Sequence, residues 1–172
     1  MKRQGGFTLI EMVVVIVILG ILAVTAAPRF LNLQDDARNS ALQGLKGAVD
    51  GAAGIVFGKA AIEGKETADE GEAVDDISII YGYPAATDEG IKEAFASDDW
   101  KFIESDTTDA TEIKILDGKL TDGQIAITFK DRKEAGCYVK YTQSKKDGDK
   151  ILPAKAEVIG GNGCKGTAAE QG

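Results

Sequence analysis

One apolar segment near the amino terminus restricts what this chain can fold into. Residues 7–27 are apolar or small except for one carboxylate, Glu11, and a six-residue stretch containing Lys2 and Arg3 precedes them. A helix of 21 such residues is long enough to span a bilayer. A carboxylate inside such a helix is energetically expensive, which indicates that Glu11 has a function.

The residues before the apolar segment differ from an ordinary secretory signal. A conventional signal peptide is cleaved after its apolar region, whereas here Gly5 and Gly6 come before it. The basic leader ending in Gly6, the unbroken apolar stretch and its first residues, Phe7-Thr8-Leu9-Ile10-Glu11, together resemble the prepilin signature of the type IV pilin family. An uncleaved signal anchor is the alternative, but it gives no reason for Glu11 to lie in the apolar run.

The resemblance implies a processing pathway and a set of partners. A prepilin peptidase would remove residues 1–6 by cutting after Gly6, and would methylate the new amino terminus at Phe7. Residues 7–28 would anchor the subunit in the inner membrane and later form the filament core, with Glu11 and Phe7 acting in self-association. Residues 29–172 would form the periplasmic and then extracellular globular domain. An inner-membrane assembly platform and a cytoplasmic ATPase would be the other partners.

Composition argues against enzymatic and nucleic-acid-binding functions. The 172 residues carry a formal net charge of −8, which disfavours binding to nucleic acid. Histidine is absent from the sequence, which removes the commonest general base and the usual zinc ligand. The sequence contains no glycine-rich phosphate loop, nucleophile elbow or Cys-x-x-Cys pair. We therefore expect a non-enzymatic structural protein without a cofactor or bound metal.

Residues 63–76 are acidic and almost free of large apolar side chains, which predicts a surface loop between helix and sheet. Their carboxylates are dense enough for a cation site, but their spacing does not follow that of a twelve-residue calcium loop. A solvated loop is the favoured interpretation.

The helical pattern continues past the apolar segment as an amphipathic stripe that reaches Ile55 and Val56. One helix from Phe7 to about Gly58 would be roughly 78 Å long, so its first half must protrude from the domain. Pro28 lacks an amide hydrogen and should kink this helix. Together with Gly20, it should make the segment between them the weak point of the helix in a packed filament.

Glycines form a second stripe on this helix, at the same spacings of three and four: Gly44, Gly47, Gly51, Gly54 and Gly58. Each costs roughly 0.5–1 kcal/mol relative to alanine in a helix. The stripe indicates that either the domain's own sheet or a neighbouring helix packs close to the backbone. The alternative is a weak helix that is interrupted near Gly44.

The rest of the chain predicts a short helix and then antiparallel strands. Thr87 or Asp88 would cap a helix over residues 91–96. Alternating apolar residues predict strands around Ile113 and Ile115, and at 125–129, 137–141 and 156–159, with turns at Asp117-Gly118 and Asp122-Gly123. The fold class is therefore α+β, with a long protruding helix packed by its C-terminal half on an antiparallel sheet. This is also the layout of the type IV pilin family.

The two cysteines, Cys137 and Cys164, lie beyond an exported segment, where thiols oxidise. Two cysteines allow one pairing, and we expect a disulfide that bounds the C-terminal segment.

Three functions remain open at this point. The first is a pilus subunit that forms surface filaments for attachment and biofilm formation. The second is a type II secretion pseudopilin that forms a short periplasmic assembly, a class in which the C-terminal loops often carry calcium. The third is a membrane-anchored periplasmic binding domain.

Overall fold

The computed structural model describes residues 7–69, 71–118, 120–131, 135–160 and 164. Its main element is helix α1 (Leu9–Ile62), whose 54 residues span about 81 Å. The helix is uninterrupted at Gly44, so the predicted alternative of a break there is wrong. It also continues through Gly20 and Pro28, and the kink and the weak point in a filament stay predictions.

Nine strands form three antiparallel sheets in the described part of the chain. The first sheet contains β1 (Glu72–Val74), β2 (Ile77–Ile80) and β3 (Tyr83–Pro84), in that order. The second has the order β4-β5-β6-β9 and consists of β4 (Trp100–Glu104), β5 (Gln124–Phe129), β6 (Tyr138–Thr142) and β9 (Lys155–Ile159). A hairpin of β7 (Lys145–Asp147) and β8 (Lys150–Leu152) projects between β6 and β9. The predicted strands at 125–129, 137–141 and 156–159 are thereby confirmed.

The short helical elements differ in part from the prediction. A π-helical turn (Asp88–Lys92) leads into α2 (Glu93–Phe95), which confirms a helix near residues 91–96. Thr87 occupies the N-cap position but makes no capping hydrogen bond with its side chain.

The strand predicted around Ile113 and Ile115 is wrong, because these residues belong to helix α3 (Ala110–Leu116). The Asp109 carboxylate accepts hydrogen bonds from the backbone amides of Thr111 and Glu112, which satisfies the free donors of the first turn. Asp117 then ends the helix in a left-handed conformation, at φ 52°.

The main core lies between α1 and the four-stranded sheet. Its largest buried side chains come from one face of α1, from β5 and β6 and from the π-helical turn, and β9 adds the smaller Ala156; the large ones are Leu42, Val49, Ile91, Ile125, Ile127, Val139 and Tyr141. Cys137 and Cys164 are joined in this core by the predicted disulfide, which is confirmed. The outer face of the sheet is covered in part by α3, through Ile115 and Leu116.

Two hydrogen bonds fix the position of the elements around this core. The Asp50 carboxylate on α1 accepts from the backbone amide of Ala156 on β9, at 3.1 Å. The Tyr141 hydroxyl donates to the carbonyl oxygen of Pro84 at 2.7 Å. Burial, with contributions from Tyr83 and Asp50, raises the pKa of the Tyr141 phenol, so this donor stays protonated in the folded protein.

Candidate assembly surfaces of the long helix

The first part of α1 presents apolar side chains to the outside. The large apolar residues between Phe7 and Val24 are 43–82% exposed, because no other described element packs on this part of the helix. Contiguous apolar surface of this extent marks an interaction site. The described residues contain no helix that meets the combined length and hydropathy needed to cross a membrane.

The start of α1 is a capping box built by Thr8 and Glu11. The Glu11 carboxylate oxygen Oε2 accepts from the Thr8 backbone amide at 2.8 Å and from the Thr8 hydroxyl at 2.7 Å. The Thr8 hydroxyl oxygen in turn accepts from the Glu11 amide at 3.3 Å. The Glu11 carboxylate therefore satisfies the backbone amide at the helix N-cap as well as lying beside Phe7. The sequence analysis missed this role, although the spacing Thr8-x-x-Glu11 is the signal for a capping box.

Of the predicted site residues, Cys137 and Cys164 form the disulfide described above, and the others belong to the amino-terminal segment. Phe7 and Glu11 line one shallow depression together with Ile10, so the structure brings these two together. Gly20 and Pro28 lie further along the same helix. Gly6 lies outside the described residues.

The glycine stripe lies opposite the buried face of α1, because its members are offset from Leu42, Leu45 and Val49 by about half a turn at 100° per residue. All five stripe glycines are exposed, and a Cβ added at any of them would meet nothing within 4 Å. The domain's own sheet therefore does not pack against them, and that alternative is wrong. A neighbouring helix stays the prediction.

An apolar groove of about 470 Å³ lies beside the stripe, between α1 and the β1–β2 hairpin. Gly51 and Ile55 line it from the helix, and Val74 and Ile77 line it from the hairpin. Ile55 is 66% exposed, so this side of the helix also carries uncovered apolar surface.

The acidic residues 63–76 form ion pairs and part of a sheet in the structure. Lys65 Nζ lies 2.8 Å from Glu63 and 3.9 Å from Glu72, and Lys59 pairs with Asp75. Residues Glu72–Val74 form β1, so the prediction of a loop throughout is wrong for this part. Within the described ranges, no group of three or more His, Cys, Asp or Glu side chains is arranged to hold a metal ion.

Comparison with known proteins agrees with the resemblance at the amino terminus. Residues 1–27 match the model of the prokaryotic N-terminal methylation motif. The chain is 49% identical over 47 residues to the type IV narrow pilus major component PilA5 of Thermus thermophilus, which covers 27% of this chain and 40% of that protein.

Two further relatives are type II secretion system core proteins G. The protein from Pseudomonas aeruginosa is 46% identical over 43 residues, or 25% of this chain and 30% of that protein. The protein from Klebsiella pneumoniae is 46% identical over 54 residues, which cover 29% of this chain and 39% of that protein. The matched part of the chain thus spans less than half the length of each of these relatives. No solved structure shows significant similarity to the chain.

The methylation motif and the relatives show that part of this chain, including residues 1–27, is similar to type IV pilins and type II secretion pseudopilins. The observed α+β architecture, with a long N-terminal helix packed on an antiparallel sheet and a disulfide between Cys137 and Cys164, is consistent with the fold of the type IV pilin family.

Proposed function

We propose that this chain is the major structural subunit of a type IV pilus, a non-enzymatic protein that polymerises into a surface filament for attachment and biofilm formation. The observation that carries the proposal is the 54-residue helix, of which the apolar first part contacts nothing else in the described chain. Burial of one large aliphatic side chain is worth roughly 1.5–3 kcal/mol. A row of such exposed side chains is therefore stabilised by burial, in lipid before assembly and against other copies of the chain afterwards.

In this proposal the chain passes through two environments. A prepilin peptidase removes residues 1–6 and methylates Phe7, while residues 7–28 hold the subunit in the inner membrane. An assembly platform and its ATPase then move the subunit into the filament, where these helices form the core. Residues 29–172 form the acidic outer surface of the fibre.

Glu11 has a separate role before and after cleavage. In the uncleaved chain its carboxylate is held by Thr8, and both hydrogen bonds go to the oxygen Oε2. Cleavage creates a positive amine at Phe7, for which the second oxygen is the available acceptor. Pairing of the Glu11 carboxylate with the Phe7 amine of an adjacent subunit would stabilise one axial position of that subunit. At any other axial position both charges would stay unpaired in an apolar core.

We further propose a similarity to the major subunit of the mannose-sensitive haemagglutinin pilus, which rests on residues 81–84. In the structure this stretch attaches the first sheet to the helix and to the second sheet. The Tyr83 ring stacks on Phe57 with centroids 4.5 Å apart, and the Pro84 carbonyl oxygen accepts from Tyr141. Gly82 has a φ of 79°, and a side chain there would meet Phe57 at 2.9 Å.

A type II secretion pseudopilin is the second candidate, and it is favoured by the two relatives named as core protein G. A membrane-anchored periplasmic binding domain is the third. Electron microscopy of material sheared from cells separates the three. Long fibres containing this subunit support the pilus, a short periplasmic assembly supports the pseudopilin, and monomers that remain in the membrane support the binding domain.

A further inference from the structure

A groove of about 470 Å³ opens on the outer face of the four-stranded sheet, beyond the part that α3 covers. Strands β5, β6 and β9 form its floor, and the β7–β8 hairpin forms one side. Its charged side chains are three lysines and one glutamate, namely Lys140, Lys145, Lys155 and Glu157. We call it the lysine groove.

Strand register brings these residues together from distant positions in the chain. Lys140 lies opposite Glu157 in the β6–β9 ladder, and Lys155 lies opposite Thr142. The Glu157 carboxylate is 2.9 Å from Lys155 Nζ and 3.4 Å from Lys140 Nζ. One carboxylate is thus shared between two lysines, and the groove keeps an excess of positive charge.

The opposite charge is concentrated in another segment of the same domain, whose Asp69 lines a separate depression together with Lys145 and Lys146. Residues 63–76, which we call the acidic segment, contain seven acidic residues and one lysine. The ion pairs of its residues Glu63, Glu72 and Asp75 are made with Lys59 and Lys65. Two lysines do not balance the carboxylates of this segment, so it keeps an excess of negative charge.

We propose that the lysine groove receives the acidic segment of a neighbouring copy of this chain. This rests on the proposed function, in which many copies of an acidic subunit pack side by side, with a formal net charge of −8 for the full sequence and 18 − 28 = −10 once Lys2 and Arg3 are removed. Like-charged domains repel one another at close range, whereas complementary patches attract and fix the orientation of the partners. Because the two patches are different surfaces, the contact is head-to-tail and can repeat along a helical filament instead of closing into a two-fold dimer.

Zero-length cross-linking of the wild-type protein tests this contact directly. Cells that assemble a mixture of unlabelled and ¹⁵N-labelled subunits are treated with a carbodiimide, which joins lysine amines to nearby carboxylates. We expect mixed-label peptides that join Lys140, Lys145 or Lys155 to a carboxylate of residues 63–76. Fibres in which cross-links between copies form elsewhere but not between these two surfaces would overturn the proposal.

Charge reversal tests whether the contact supports assembly. Lys140→Glu with Lys155→Glu should reduce sheared fibres by about tenfold or more, because the groove then repels the acidic segment. Glu63→Lys with Glu72→Lys should do the same, and Glu63 lies at the C-terminal cap of α1, where a cation is favourable. Combining all four changes should restore fibres to within about threefold of wild type.

Two controls separate pairing from net charge and from folding. Lys92→Glu with Lys130→Glu changes the net charge equally outside the groove and should leave fibre yield unchanged. Combined with the two acidic-segment changes, this control pair restores the net charge but should not restore fibres. Because Lys140→Glu places a second carboxylate opposite Glu157, the milder pair Lys140→Gln with Lys155→Gln is made as well. Subunit level and disulfide formation are measured for every variant.

The outcomes distinguish this contact from the pilus itself. Wild-type fibres together with normal fibres from every reversal variant would overturn the contact and leave the proposed function standing. Subunits that assemble only into a short periplasmic structure would overturn the pilus, while cross-links between the two surfaces in that structure would still support the contact. Monomers without any cross-link between copies would overturn both.

Discussion

Bulk placed on the glycine stripe should have opposite effects on the subunit and on the fibre. We consider two triple variants at Gly47, Gly51 and Gly54, one to alanine and one to leucine. An added Cβ at each position meets nothing within 4 Å, so the alanine variant introduces no clash inside the subunit, and all three positions are exposed. Each replacement gains helix propensity worth about 0.5–1 kcal/mol, which raises the free energy of unfolding by roughly 1.5–3 kcal/mol for three sites.

The fibre should respond in the other direction. Helices pack 8–10 Å apart depending on the side chains at the contact, and glycine allows the closest approach. Three leucines on the stripe would push a neighbouring helix outwards, so we expect about a tenfold or greater loss of sheared fibres. The alanine variant adds one carbon per site and should lose much less.

Two measurements check this prediction on the full-length chain. Denaturant unfolding in detergent is followed by the fluorescence of Trp100, the one tryptophan in the sequence, which packs on Phe129 with ring centroids 4.9 Å apart. Fibre yield is measured by shearing. The control variant is Ala41→Leu, which adds bulk at an exposed position of α1 away from the stripe. Wild-type fibre yield from a stable leucine variant would refute helix packing on the stripe, and a destabilised alanine variant would refute the claim that the stripe is unused within the subunit.

Four further outcomes are expected. Mass spectrometry of the mature subunit should show a chain that begins at N-methylated Phe7, and a start near residue 26 would contradict prepilin processing. Cys137→Ser should lower the free energy of unfolding by about 3.5 kcal/mol and reduce subunit level, whereas free labelling of wild-type thiols without a reductant would argue against the disulfide in cells. Tyr141→Phe should lower unfolding free energy by about 1–2 kcal/mol, since it leaves a buried carbonyl without its donor, and an unchanged denaturation midpoint would count against this bond. Glu11→Val should give normal leader cleavage and stable monomers but few fibres by electron microscopy, and wild-type fibre numbers would reject its role in register.

The sequence predicts most of the elements that have a strong hydrophobic period. The long helix and strands β5, β6 and β9 follow from regular patterns, because each buries one face on a shared core. The pattern around helix α3 predicts a strand because two isoleucines separated by one residue also fit period two. The Asp109 side chain caps the first turn, which favours the helix that is observed. Strand β7 consists of charged, exposed residues and β8 is only three residues long without a fully buried side chain, so neither has a hydrophobic period and the turn at Gly148 is the signal for their pairing.

The candidate surfaces were predictable to different degrees. That Phe7 and Glu11 lie in one depression follows from their spacing of four residues on a helix, and the capping box is visible in the sequence once Thr8 is considered. The spacing of the stripe glycines does not predict which element packs against them, because that depends on which face of α1 the sheet covers. The lysine groove was beyond sequence analysis, since the register between β6 and β9 brings its residues together.

The hydrogen bond between Asp50 and Ala156 has a consequence for the solubility of the subunit. Strand β9 lies at the margin of its sheet, where outward-pointing amides are free to add a strand from another chain. The Asp50 carboxylate occupies one of these amides, and α1 runs beside the strand. In the proposed filament many copies come close together, which would expose them to amyloid-like stacking through a free strand margin. A helix that shields this margin leaves side-chain surfaces as the route by which copies would recognise one another.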